Sequence, residues 1–108
     1  MTDKVVPLHR DIVGDEDREK LESFGGHSAG RGRITRWAWD EDAGGHVLFM
    51  LYRGGETERL AVQVRRDPES GDFRARNVDG AVIAEGPLDH VLARTDAYLA
   101  GLHGESGA

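Results

Sequence analysis

His46-Val47-Leu48-Phe49-Met50-Leu51-Tyr52 holds six consecutive apolar or aromatic residues and is closed by Arg53-Gly54-Gly55. No polar residue alternates through it, so neither side can be turned to water. A run this short, stopped by glycine, predicts a strand buried on both faces rather than a helix. Each side of its sheet therefore needs a cover.

Downstream, Gly54-Gly55 reads as a two-residue hairpin turn. Thr57 to Arg66 then alternates, with Leu60, Val62 and Val64 on one side. Such a turn pairs Arg53 with Glu56 and sets Phe49 opposite Leu60. Val47, Phe49, Leu51, Leu60, Val62 and Val64 then share a core face. The second face carries Leu48, Met50, Tyr52 and Ala61 with Arg59, Gln63 and Arg65. Asp67-Pro68-Glu69-Ser70-Gly71 has the residues of a turn, followed by strands at Phe73 to Val78 and Ala81 to Glu85 around the tight hairpin Asp79-Gly80. With Phe73 and Ala75 in the core, Arg74 and Arg76 join the second face. That face becomes an apolar centre with an arginine rim.

Upstream, Ile34 to Trp39 reads as the first strand, and the acidic loop Asp40-Glu41-Asp42-Ala43-Gly44-Gly45 leaves its parity open. We expect Trp37 and Trp39 on the core face, because a one-residue slip would put Arg36 there, desolvated.

Two helices complete the pattern. Gly86-Pro87 opens the clearer one, where Leu88, Val91, Leu92, Thr95, Leu99 and Leu102 fall at helical spacing and Asp89, Arg94 and Asp96 lie opposite. The other runs from Asp15 to Phe24, with an acidic first turn that suits the helix dipole and Gly25-Gly26 as its stop. Its apolar seam, Leu21 and Phe24, is too thin to stand alone. Laid over Leu48 and Met50, in its own chain or in a second copy, it would bring Asp15, Glu16, Asp17, Glu19 and Glu22 to the arginine rim. His27 to Gly32 reads as a small-residue linker.

Composition narrows the chemistry. The 108 residues suffice for one domain with a modest core, at 38% hydrophobic and 31% charged. There is no Cys, which excludes disulfides, thiolate zinc sites and cysteine nucleophiles. Net charge is −6, and 12 of the 14 cations are Arg, only Lys4 and Lys20 being Lys. An acidic chain argues against a protein that coats DNA. No apolar run reaches the roughly 20 residues of a membrane span, and Met1-Thr2-Asp3-Lys4 lacks the pattern of a signal peptide. A cytoplasmic location is expected.

Among candidate sites, His9, His27, His46, His90 and His103 show no ligand spacing. Asp40 and Asp42 with Gly45 imitate part of a calcium loop, but Gly44 and Leu51 stand where oxygen ligands belong. Gly25 to Gly32 lacks the strand, helix and lysine of a phosphate loop. Ser28 lacks a nucleophile elbow. No paired carboxylate sits in an apolar setting suited to acid–base work.

The predicted fold is α+β. An antiparallel meander of about five strands over 33–85 carries a C-terminal helix, 87–101, packed on one face. A short N-terminal helix (15–24), an extended arm (1–14) and a tail (102–108) complete a single domain, 1–108. No enzyme, cofactor or metal is expected. The predicted role is a non-catalytic interaction domain, pairing with a partner protein or a second copy through Leu48, Met50, Tyr52, Arg59, Arg65, Arg74 and Arg76. Single-stranded nucleic-acid binding by the same face ranks second, since arginine beside exposed aromatics can hold phosphates and stack bases.

Overall fold

In the computed structural model, residues 13–54 and 56–103 are described, with only the backbone of His103. The arm expected at 1–14 lies almost wholly outside them. An N-terminal helix α1 (Asp15–Gly30) precedes strands β1 (Arg36–Glu41), β2 (Val47–Arg53), β3 (Arg59–Arg66), β4 (Phe73–Asn77) and β5 (Val82–Gly86), and a C-terminal helix α2 (Leu88–His103) closes the chain. The strands form one antiparallel sheet in the order β1-β2-β3-β4-β5. This is the predicted α+β meander.

The core lies on one face of that sheet. Phe49 and Leu51 of β2 meet Val62 and Val64 of β3, Phe73 and Ala75 of β4, and Leu88, Val91 and Leu99 of α2. Trp37 and Trp39 pair with Leu51 and Phe49 across the β1–β2 ladder, and their rings stand 5.6 and 4.9 Å from that of Phe49. Both tryptophans thus face the core, and Arg36 is spared burial there. Leu92, in the expected seam of α2, is only half-buried at the margin of this cluster, while Leu102 is 40% exposed.

Helix α1 departs from expectation twice. It does not stop at Gly25-Gly26 but continues to Gly30, so residues 27–30 are helix rather than linker. Its stop is Gly32, at φ 79°. The Gly32 N–H donates to the Ala29 carbonyl at 3.0 Å and the Arg33 N–H to Ser28 at 2.9 Å. These two bonds make a Schellman cap. Helix α1 also packs on the core face rather than on the second one. Leu21 is 1% exposed within the same cluster as Val91 and Leu99, and Gly25 lies against the Trp37 ring so closely that a Cβ there would sit 2.6 Å from it. The Trp39 indole N–H donates to Glu22 at 2.7 Å and Arg18 lies over that ring at 5.3 Å. Arg33 bonds to Asp96, tying the α1–β1 connection to α2. With Leu21 already buried in its own domain, the seam is not free to cover Leu48 and Met50 in either copy.

The β2–β3 register also differs. No two-residue turn joins these strands: the connection runs from Gly54 to Glu58, and Phe49 lies opposite Val64 rather than Leu60. That displacement is even, so the face of Phe49 is kept. A bulge between Leu51 and Tyr52 then makes Leu60 the partner of Tyr52 and Arg59 that of Arg53. A bulge reverses the alternation beyond it. Ala61 therefore enters the core, while Arg59 leaves the second face for the helix-bearing side.

Candidate interaction surface

Because both helices occupy one side, the other face of the sheet carries no second layer among the described residues. Register assigns its rows. Arg36, Tyr52 and Leu60 form one, and Ala38, Met50, Gln63 and Arg76 the next. Asp40 with Leu48, and Arg65 with Arg74 and Glu85, form the third. Of the residues singled out from sequence, Leu48, Met50, Tyr52, Arg65, Arg74 and Arg76 come together here, and Arg59 does not. Arg36 belongs to the group, and its place followed from the tryptophan parity.

The centre is less open than expected. Leu48 and Met50 are 8% and 9% exposed, and Tyr52, Gln63, Arg65, Arg74 and Arg76 are half-buried. The face is thus a layer of partly buried arginine around a closed apolar centre, not a bare apolar patch. Long cationic side chains do this by laying their stems on apolar surface and keeping their heads in water.

Most of these cations have acids beside them. The Arg36 Nε donates to Glu58 at 2.8 Å, and the guanidinium stacks 4.1 Å from the Tyr52 ring centroid. Glu58 also accepts from the Thr35 hydroxyl at 2.7 Å. That bond, helped by Arg36, holds its carboxyl below the ordinary range. Arg74 donates to Glu85 through Nη2 at 2.5 Å and Nε at 3.2 Å, which raises its pKa above the usual value. Arg65 stands 3.8 Å from Asp42. Arg65 and Arg74 are direct cross-strand partners, a like-charge pairing that these acids offset. Arg76 differs: its Nε is buried with no hydrogen-bond partner among the described residues.

Asp42, one of the two acids that imitate part of a calcium loop, is occupied with its own loop. Its Oδ1 accepts the Gly44 and His46 backbone N–H groups, each at 2.9 Å, and lies 3.1 Å from the His46 ring. The His46 N–H chiefly keeps the carboxyl below its ordinary pKa. A depressed carboxylate stabilises the fold above its unfolded pKa of about 3.9, and that contribution is lost as pH falls through the lower folded value. Asp42→Ala is therefore expected to melt below the parent protein at pH 7, with the gap shrinking once pH drops under about 4. A gap of constant size across that range, measured by thermal denaturation, would mean that the charge is immaterial.

Among the described residues, no group of three His, Asp or Glu side chains is placed to hold a metal. His27 and His90 are both exposed. No described helix is long and apolar enough to cross a membrane. Comparison of the chain with family models, with curated proteins and with solved structures finds no match.

Proposed function

We propose that this chain is a non-catalytic interaction domain whose helix-free sheet face binds an acidic segment of another protein. The observation that carries the reading is Arg76, half-buried in the middle row of that face with its Nε unmatched. A buried donor without an acceptor is costly. The Nε itself is closed to solvent, so a partner's carboxylate would meet the accessible remainder of a guanidinium for which no acid stands nearby among the described residues. Arg65 and Arg74 form the adjacent row and can orient the approach.

Two features favour a protein ligand over a single nucleic-acid strand. Base stacking needs open aromatic faces, yet Trp37 and Trp39 serve the core and Arg36 already covers Tyr52. Phosphate binding needs uncommitted cations, whereas Arg36, Arg65 and Arg74 each have a carboxylate nearby. A second copy would set two arginine-rich faces against each other, which is unfavourable without intervening acids.

The test is selection from displayed Asp/Glu-rich peptides, followed by titration of the selected peptide and of a single-stranded oligonucleotide. We expect the peptide to bind and Arg76→Gln to weaken it by about tenfold, the scale of one charge-assisted hydrogen bond. Peptide binding indifferent to Arg76→Gln would refute the site. Oligonucleotide binding that falls steeply with salt would make the face a nucleic-acid surface instead.

A further inference from the structure

On the helix-bearing side, where β2, β3 and the end of α2 come together, a groove of about 430 Å³ is lined by Leu60, Ala61, Val78, Tyr98 and Leu102 with Arg53, Arg59, Gly54 and Thr57. Its volume falls within the range of small-molecule sites. Val78 and Leu102 leave 63% and 40% of their surface exposed. Arg53 and Arg59 are direct cross-strand partners. Like charges so placed repel, and neither has a carboxylate partner among the described residues.

We propose that this groove binds an aliphatic monocarboxylate, with the apolar chain along Ala61, Tyr98 and Leu102 and the carboxylate held between Arg53 and Arg59. The charge pattern supports this occupant. Two facing guanidinium groups without an acid suit one shared anion, and such charge-assisted bonds are the strong kind. Apart from the arginines, Thr57 and Tyr98 are the only polar side chains lining the groove among the described residues. A peptide lying there would leave amide groups short of partners, which is costly. A ligand with one charged end and an apolar body has no such penalty. Leu60 borders both surfaces, but none of the arginines is shared with the arginine face, so either assignment can fail alone.

Titration of the full chain with decanoate, followed by tyrosine fluorescence and calorimetry, tests the site. Saturable binding is expected, with decanol at least about tenfold weaker because it lacks the charge. The double variant Arg53→Gln/Arg59→Gln should lose decanoate binding to a similar degree, and Leu102→Asp should lose it as well. The arginines also lie near the negative end of the α2 dipole, so melting curves of the variants are needed alongside. A double variant that melts lower yet binds decanoate unchanged would give the arginines a structural role and overturn the proposal. So would equal binding of decanol, or tighter binding of a short peptide ending in leucine than of decanoate.

Discussion

Phe49→Ala is expected to leave the protein barely folded at room temperature. The side chain is fully buried, and its ring is the common neighbour of Trp37 and Trp39. It also lies opposite Val64 on the next strand. Truncation removes the ring from beneath α1 as well as from the sheet, so little around it can collapse into the space. Such substitutions cost about 3–5 kcal/mol, against a total stability of about 5–15 kcal/mol for a domain. Urea denaturation measures the loss directly. A midpoint within error of the parent's would show that the tryptophans and α1 do not close over this ring. Met50→Ala, on the other face and outside the main cluster, provides the contrast. It should cost less.

The central strand and the final helix were legible because each carries its signal within itself. Val47 to Tyr52 has no polar residue to turn outward, and α2 repeats its apolar positions at helical spacing. The parity of β1 could be settled from Arg36, since one choice was energetically poor. Two features were not legible, for different reasons. Gly25-Gly26 has the local character of a helix stop, and only the Trp37 and Phe49 side chains, brought there by the tertiary fold, make a glycine necessary inside the helix. The bulge beside Tyr52 has no residue signature, yet it moves Arg59 to the far side and draws Ala61 into the core. Once α1 proved able to bury its seam in the core on the tryptophan side, the second face lost the cover expected for it. The same change gives Arg65, Arg74 and Arg76 their interest.

A matched pair of glycine substitutions tests most directly that α1 runs unbroken onto the tryptophan side of the sheet. Gly25 and Gly26 are adjacent in the same helix, and alanine should favour helix over glycine by about 0.5–1 kcal/mol at either position. Their surroundings differ completely. A Cβ at Gly26 meets nothing within 4 Å, whereas at Gly25 it falls 2.6 and 2.7 Å from Trp37 and 3.1 Å from Phe49. Overpacking of this kind costs about 1–3 kcal/mol, more than the helical gain. Denaturation midpoints of Gly25→Ala and Gly26→Ala, taken side by side, should therefore move in opposite directions, down for the first and up for the second. If both rise, or both fall alike, α1 does not pack on Trp37 and the helix-free face assigned to the arginines would have to be given up.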